Sequence, residues 1–382
     1  MLAMATNGLY LAKVAAHFPD SRLWKFLAYE SDHAIWRGCS FWDLIMPAFL
    51  FMVGVALPYS AASRLARGES FARRFGHTLY RCVVLIVLGM FIFSNGQDRT
   101  YFTFMNVLTQ IGLGYWLVFL LAGRGPRLQL AAAGAVLAGT WLVFALHPLP
   151  PPGFDFASFG VPKDWEHLTG FARHWDRGTN FGAAVDRRFL AVFPLCRPPR
   201  WLQGGGQTIN FVPSIATMIF GLLTGGMLRA DLPAEAKMKR MLLAGAACLG
   251  LGVVLDPSIL PFFVFHSFPV LCPIVKRIWT PSYAIFSAGW VLWMLAGFYA
   301  VIEIAGFRRW AFPLVLVGTN SIAMYCLAAM AQPWIKQNLK THLGFTGIFA
   351  GTYGPIVESA ASVFILWLAC LWLYRRRIFL KI

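Results

Sequence analysis

Charged residues are scarce in this sequence. Asp, Glu, Lys and Arg together make up 13% of its 382 residues, which is about half the fraction usual for soluble globular proteins. Hydrophobic residues make up 58%, and several apolar runs approach the roughly 20 residues with which a helix crosses a bilayer. The composition therefore excludes an ordinary soluble protein and predicts an all-α polytopic membrane protein, a bundle of about ten transmembrane helices. The runs predicted to span the membrane are 1–17, 41–60, 78–95, 102–122, 128–146, 207–228, 241–256, 281–305, 311–331 and 347–374.

Acidic residues are the scarcer part of the charge, with 16 Asp and Glu against 33 Lys and Arg and a net charge of +17. Sixteen of the basic residues fall on one face of the predicted bundle, whereas the short loops of the opposite face hold eight. Loops rich in Lys and Arg are cytoplasmic in membrane proteins. We therefore expect a cell (inner) membrane protein with both termini in the cytoplasm and residues 18–40 outside. The basic surplus reflects topology in a lipid bilayer and does not predict a nucleic-acid partner.

Several motifs with specific chemistry are also missing. The seven cysteines form no CxxC pair and no metal-like spacing with histidine, so no metal site is predicted. A disulfide among Cys39, Cys196 and Cys272 stays open. The "GGG" at 204–206 lacks the GxxxxGK[ST] pattern of a phosphate loop. The amino-terminal residues have no basic opening and no clear cleavage site, so no cleaved signal peptide is expected.

We expect one transmembrane acyltransferase-like domain over residues 1–382, interrupted by a long extracytoplasmic loop at 147–206. Loops of this length are often functional, and the sequence leaves a lid and a solvated connector equally open. A second outer segment, 257–280, is apolar and has four prolines. It is predicted to dip into the membrane interface without forming a regular span.

Residues 31–60, "SDHAIWRGCSFWDLIMPAFLFMVGVALPYS", place polar and aromatic residues directly before an apolar run. His33 there could act as a general base, since a histidine titrates near neutral pH. From composition alone, a surface histidine among interfacial tryptophans is the simpler interpretation. Asp43 follows Ser40 in the S-x-x-D pattern of a helix capping box, but a carboxylate in this position could instead orient the ring of His33.

Polar side chains also interrupt the apolar runs, where they are costly and therefore informative. Each one alone is explained by a hydrogen bond between helices. Together they favour a polar cavity in the bundle. They are Asn7, Asn106, Gln110, Thr208, Asn210, Asn320 and Ser321.

The segment "HAIWRGCSFWDLIMPAFLFMVG" resembles the histidine-containing motif of the heparan-α-glucosaminide N-acetyltransferase family and its bacterial relatives. The segments "VLTQIGLGY", "KRIWTPSY", "GTNSIAMY" and "LYRRRIFLKI" are similar to further blocks of that family in the same order. The resemblance runs from Asn7 to Ile382. It implies a multi-span enzyme that transfers an acetyl group from cytoplasmic acetyl-CoA to an amino sugar or glycan acceptor on the other side of the membrane. A basic patch on the cytoplasmic loops could then contact the CoA phosphates, but the same residues set the topology, and we attribute them to topology.

The resemblance also implies site residues. His33 matches the active-site histidine of the family and Asn7 an asparagine of the same site; His33 would take a proton from the amine while Asn7 donates to the thioester oxygen. Asp43 is the third catalytic candidate. The residues expected to bind substrate or cofactor are Trp36, Thr208, Asn210, Lys276, Trp279, Asn320 and Ser321.

Two other functions stay open at this point. The first is a permease for N-acetylglucosamine or a related amino sugar, although no inverted repeat typical of transporters is found. The second is a structural membrane protein without activity. The sequence does not distinguish a transfer through an acetyl-histidine from a direct one, and it leaves a homodimer open.

Overall fold

The structure is a computed structural model that describes residues 7–194, 206–260 and 269–380. Within these ranges the chain is helical, and its β-structure consists of isolated bridges between residues 37–38 and 275. The all-α prediction is confirmed. The α-helices are α1 (Leu11–Ala15), α2 (Arg22–Glu30), α3 (Ile45–Ala66), α4 (Phe71–Ser94), α5 (Val107–Leu121), α6 (Pro126–Ala145), α7 (Phe181–Phe189), α8 (Phe211–Arg229), α9 (Ala234–Leu255), α10 (Pro281–Tyr299), α11 (Phe312–Thr319), α12 (Ser321–Leu343) and α13 (Gly354–Arg375).

Seven described helices are long and apolar enough to span a membrane, or eight if the bent pair Arg309–Thr319 and Ser321–Thr346 forms one span. The protein is therefore a multi-pass membrane protein, but the count of about ten is not confirmed. The described part of run 1–17 holds a 3-10 turn and the short helix α1. In run 102–122 the helix starts only at α5, which at 1.5 Å per residue reaches about 22 Å of a roughly 30 Å hydrocarbon core.

The late start of α5 has a local cause. The side chain of Asn106 accepts hydrogen bonds from the backbone N–H groups of Leu108 and Thr109, both at 3.1 Å. Such a cap satisfies the free amides of a helix start. Asn106 thus places a helix terminus inside an apolar run that, judged by hydropathy alone, is predicted to be continuous.

The described residues divide into two compact units. Unit 1 comprises Met1–Ala34, Cys39–Ile45 and Ala300–Ile382. It contains α1, α2 and α11–α13, and its core is formed by apolar side chains of α11, α12 and α13, among them Leu316, Met324 and Leu366. The helix pair α11 and α12 is bent by 72°.

Unit 2 comprises Ile35–Gly38 and Met46–Tyr299 and contains most of α3 and all of α4–α10. Helices α3 and α8 cross closely because both carry glycine at the contact. A Cβ atom on Gly54 would collide with the Met218 carbonyl oxygen, and one on Gly221 would collide with the Phe51 carbonyl oxygen. Small residues commonly allow such close contacts between membrane helices.

The predicted long loop has structure of its own. It contains α7 and several short 3-10 turns, and its aromatic residues pack into a buried cluster of unit 2 together with residues of neighbouring segments. Trp175 is fully buried there beside Phe144 and Trp36. The described part of the loop is therefore folded onto unit 2.

Candidate active site

His33 and Asp43 form a pair in unit 1. The His33 Nδ1 atom lies 2.7 Å from Asp43 Oδ1, and the Asp43 carboxylate is fully buried, whereas 37% of the His33 side chain is exposed. The backbone N–H of His33 also donates to Asp32 Oδ1 at 2.7 Å. A half-buried histidine with a buried carboxylate behind it is the arrangement by which enzymes orient a general base.

Asp43 caps a helix and orients the histidine at the same time. Its Oδ2 atom accepts the backbone N–H groups of Ala34 and Ser40, both at 3.1 Å, while its own N–H donates to Ser40 Oγ at 3.3 Å. This is the reciprocal capping box predicted from S-x-x-D. The two carboxylate oxygens have different partners, since Oδ2 accepts the hydrogen bonds of the cap and Oδ1 is hydrogen-bonded to His33. The sequence posed these roles as alternatives, and the structure contains both.

The pair fixes the tautomer of His33. An ionised carboxylate can only accept a hydrogen bond, so Nδ1 of His33 carries the proton that is shared with Asp43. In the neutral ring the basic lone pair is then on Nε2. The geometry equips His33 to take a proton at Nε2, with the resulting positive charge stabilised by Asp43.

The other candidates of unit 1 have different surroundings. Asn7 begins the 3-10 turn Asn7–Tyr10. The side chain of Asn320, fully buried between α11 and α12, donates to the Ile378 carbonyl oxygen and accepts from the Leu380 N–H, both at 3.0 Å. Ser321 is the first residue of α12. Asn320 thus anchors the carboxyl-terminal segment, and its role in substrate binding stays a prediction.

Four candidates of unit 2 lie close to the first two turns of α8 in the chain or through the contacts of their neighbours. The Asn210 side chain donates to the Arg277 carbonyl oxygen at 2.8 Å, next to Lys276. The indole N–H of Trp279 donates to Thr217 Oγ1 at 3.3 Å. The backbone N–H of Thr208 donates to both carboxylate oxygens of Asp186, at 3.2 and 3.1 Å.

Trp279 adopts a strained backbone. Its φ angle of 48° is left-handed, and its side chain is 1% exposed. A bulky residue rarely adopts this conformation, and where it persists the surrounding structure enforces it. Trp36, the fifth candidate of unit 2, lies in the aromatic cluster and donates its indole N–H to the Trp175 carbonyl oxygen at 3.2 Å.

An ion pair that sequence reasoning missed holds the segment after His33 in unit 2. The guanidinium of Arg37 makes two hydrogen bonds to the fully buried carboxylate of Asp256, at 2.7 and 3.2 Å. Asp256 Oδ2 also accepts the Ile274 N–H at 2.7 Å. The available signal was an aspartate directly after an apolar run, in "VVLDPS".

The structure also contains an arginine-lined cavity of unit 2 with a volume of about 1090 Å³, which brings together basic residues that the sequence attributed to topology. It lies between the ends of α3–α6 and α8–α9 that carry the basic loops. Four arginines line it, and none of the described lining residues is acidic. The Arg74 Nε atom is buried and has no hydrogen-bond partner among the described residues. The arginines are Arg74, Arg124, Arg229 and Arg240.

The carboxyl group of Asp186, on α7, has an unusual pKa. Burial raises the pKa to about 6 from 3.8, against the opposing effect of the hydrogen bonds from Thr208. Because the pKa is higher in the folded state, the folded protein binds this proton more tightly than the unfolded chain. The associated stability is fully present below pH 3.8 and is lost as the pH rises through 6.

We therefore expect Asp186→Asn to remove part of the pH dependence of stability. From this pKa difference, wild-type protein should gain about 1.4 kcal/mol from Asp186 when the pH falls from 7.5 to 5. Thermal unfolding in detergent is measured at both pH values for wild type and variant. The change in stability of the variant is subtracted from that of wild type, so that the contributions of other titrating groups cancel. Equal pH dependence of the two proteins would contradict the assigned pKa.

The cysteines that could have formed a disulfide were Cys39, Cys196 and Cys272. Neither Cys39 nor Cys272 is part of a disulfide within the described ranges, and Cys196 lies outside them. No cluster of three or more His, Cys, Asp or Glu residues within the described ranges could hold a metal ion.

Comparison with known proteins gives two kinds of match. The family model described as heparan-alpha-glucosaminide N-acetyltransferase, catalytic, matches residues 12–161. The human protein named heparan-alpha-glucosaminide N-acetyltransferase is 25% identical over 417 residues, which cover 97% of this chain and 58% of the human protein. The mouse protein of the same name is 27% identical over 115 residues, 28% of this chain and 16% of its own length.

The family model includes the His33–Asp43 pair, and the human alignment extends over nearly the whole chain. The chain spans little more than half the length of that human relative. The matches confirm the resemblance seen in the motifs: the chain is similar to the catalytic part of the heparan-alpha-glucosaminide N-acetyltransferase family over residues 12–161 and to the human protein of that name over nearly the whole length of this chain.

Proposed function

We propose that this protein is a membrane N-acetyltransferase that moves an acetyl group from cytoplasmic acetyl-CoA to an amino sugar or glycan on the extracytoplasmic side. The observation that carries the proposal is the hydrogen bond between His33 Nδ1 and the buried Asp43 carboxylate. The N-acetyltransferase relatives support the same reaction type. The excess of basic residues on one face supports a cytoplasmic position for both termini and an outer position for His33.

In the proposed reaction His33 is the general base. As the amine nitrogen of the acceptor bonds to the acetyl carbon, Nε2 of His33 takes the amine proton, and Asp43 stabilises the imidazolium ion. The carbon–sulfur bond then breaks, and the proton goes to the departing thiolate. Asn7 is proposed to donate a hydrogen bond to the thioester oxygen. Trapping an acetyl group on His33 by rapid quenching would replace this direct route with a covalent one.

Acetyl-CoA supplies the activated acetyl group, and the arginine-lined cavity has the chemistry to bind its phosphates. Guanidinium groups bind phosphate through paired, charge-assisted hydrogen bonds. The unpartnered Nε of Arg74 supplies one such donor, and Phe71 and Phe119, whose ring centroids are 6.0 Å apart, add an apolar wall. Ligand sites typically measure about 300–1,000 Å³, so the volume also fits a large ligand.

Arg74→Gln is expected to raise the KM for acetyl-CoA by about tenfold, since a charge-assisted contact to phosphate is lost. The rate at saturating acetyl-CoA should change little, because the contact is the same before and during the reaction. Arg73→Gln is the matched control, because it removes the same charge from the exposed neighbour on α4. An equal change in KM for both variants would indicate that positive charge in this region attracts acetyl-CoA in general, and not that Arg74 contacts its phosphates.

The direct test of the function is acetyl transfer by the purified protein. Radiolabelled acetyl-CoA and glucosamine are incubated with the protein in detergent, and N-acetylglucosamine is separated and counted. Labelled product is expected. Folded protein that makes none, but that takes up labelled N-acetylglucosamine into proteoliposomes without acetyl-CoA, would overturn the proposal in favour of the permease.

A further inference from the structure

A buried lysine of unit 1 has no part in the reaction described above. Lys336, on α12, is 9% exposed. Lys340, one helical turn further along α12, forms an ion pair with Glu358 at 3.2 Å, whereas Lys336 forms no ion pair with any residue that the structure describes. A buried cation without a carboxylate partner is costly, and in a membrane protein such a residue commonly has a specific function.

The ammonium group of Lys336 contacts the side chain of Tyr10. Its Nζ atom donates to the Tyr10 hydroxyl oxygen at 2.9 Å and lies 4.4 Å from the centroid of the ring. The Nζ atom of Lys13 lies 4.5 Å from the centroid of the same ring. Ammonium groups within about 6 Å of an aromatic ring are attracted to its face. Two cations and one hydrogen bond therefore hold the Tyr10 side chain.

The backbone at Tyr10 is strained. The φ angles of Leu9 and Tyr10 are 51° and 53°, and both residues belong to the 3-10 turn Asn7–Tyr10. The other non-glycine residues with positive φ in the described part of the chain, Trp279 and Arg377, are single positions. A left-handed backbone is unfavourable for residues with a Cβ atom and persists where surrounding contacts enforce it. Two such residues in succession therefore need contacts from outside the turn.

Helices α12 and α13 supply these contacts. The turn packs against α13, and the hydrogen bond from Lys336 attaches its last residue to α12. Asn7 is the first residue of the same turn. Residues three positions apart in a 3-10 helix are linked by a backbone hydrogen bond, so a contact that fixes Tyr10 also restricts the backbone of Asn7.

We infer that Lys336 is a positioning residue that acts through Tyr10 to hold the strained turn on which Asn7 lies. The inference rests on the proposed function in one respect, namely that Asn7 donates a hydrogen bond to the thioester oxygen. Such a donor must be held in place in advance, because it stabilises charge that develops only in the transition state. Lys336 itself contacts no reacting atom in this role.

The first test is steady-state acetyl transfer to glucosamine by single variants. Lys336→Met removes the ammonium group but keeps a long side chain, and it is expected to lower kcat about tenfold, a part of the 10²- to 10³-fold effect of losing an oxyanion donor. Tyr10→Phe removes only the hydroxyl group and should lower kcat about threefold. The KM values for acetyl-CoA and glucosamine should stay within about twofold of wild type. Lys340→Met is the matched control and should keep both kcat and KM.

A double-mutant cycle determines whether Lys336 acts through Asn7. Asn7→Ala alone should lower kcat by about 10²-fold. Residues that act as a unit have non-additive effects, so adding Lys336→Met to Asn7→Ala should change kcat by less than about twofold. A further loss of about tenfold in the double variant would show that Lys336 acts independently of Asn7 and would overturn the inference.

A glycine at position 9 tests whether strain is the reason. Glycine adopts positive φ angles without a steric penalty, so the turn in Leu9→Gly should no longer depend on the contact with Lys336. The double variant Leu9→Gly and Lys336→Met is expected to recover most of the kcat that Lys336→Met loses. If kcat does not recover, Lys336 does not act by holding this turn.

Hydrogen exchange measures the turn without any reaction. The backbone amides of residues 7–11 should exchange faster in Lys336→Met than in wild type or in Lys340→Met, because loss of the contact lets the turn open more often. Unchanged exchange would overturn the inference even in an active enzyme. Faster exchange in a protein that transfers no acetyl group would keep the contact as the support of the turn and remove the proposed function.

Discussion

Replacing His33 with alanine is expected to lower the rate of acetyl transfer by about 10³-fold, since a positioned general base commonly contributes 10²- to 10⁴-fold. The loss should appear in kcat, because the proton is transferred only as the new bond forms. The affinity for acetyl-CoA, measured at equilibrium, should stay within about twofold of wild type. The measurement is steady-state transfer of labelled acetyl groups to glucosamine, with donor binding determined separately.

His167→Ala is the matched control for this variant. His167 also pairs through Nδ1 with a buried carboxylate, Asp176, at 2.6 Å, and its side chain is 39% exposed, close to the value for His33. The two pairs are thus alike in geometry but lie in different units. An equal loss in both variants, or an unchanged rate in His33→Ala, would contradict the assignment of His33 as the base.

The sequence predicted the class of fold because hydropathy determines it. Helices are required where the backbone meets lipid, and long apolar runs therefore mark most of the spans. Among the described residues, the predicted and observed spans differ where a polar side chain starts a helix inside an apolar run, as Asn106 does for α5. A hydropathy window averages over such a residue. The cap can be recognised only in the structure, where Asn106 accepts two backbone hydrogen bonds.

Local sequence patterns predicted one part of the site well. The capping box of Ser40 and Asp43 involves residues three positions apart, and the pairing of Asp43 with His33 involves residues ten positions apart. Contacts of this range are visible in a motif. What the motif did not show is that one carboxylate can do both tasks, because this depends on the separate directions of its two oxygens.

Long-range contacts were beyond the sequence. The arginines of the cavity come from loops and helix ends that are distant along the chain. The sequence allowed a basic patch that contacts the CoA phosphates, but it favoured a role of these residues in membrane topology and did not show which of them meet. The carboxylate of Asp256 is 219 positions from Arg37. Neither arrangement has a periodicity or spacing that a single sequence reveals.

The second large effect is expected for Asp43→Asn, which should lower kcat by about 10²- to 10³-fold while the protein still folds. The cap decides how the new amide is oriented. Its oxygen must occupy the Oδ2 position, because the N–H groups of Ala34 and Ser40 point there. The NH₂ group then faces Nδ1 of His33.

Two donors cannot form a hydrogen bond, so His33 must move its proton from Nδ1 to Nε2. Nε2 then carries a proton and cannot accept one from the amine. The variant is therefore predicted to retain the fold and the ring position but to lose the base. Nitrogen NMR of the labelled ring would report the change of tautomer directly.

Ser40→Ala separates this effect from loss of the cap. The variant removes the hydroxyl that accepts the Asp43 N–H and donates to the Asp32 carbonyl oxygen at 2.6 Å, but it leaves the Asp43 carboxylate beside His33. Loss of a cap commonly costs about 1 kcal/mol, so the unfolding temperature should fall while kcat is largely kept. If Ser40→Ala loses as much activity as Asp43→Asn, the Asp43 carboxylate supports activity by capping the helix and not by holding the tautomer of His33. A kcat loss confined to Asp43→Asn follows only if Oδ1 holds His33 in the tautomer that accepts the proton.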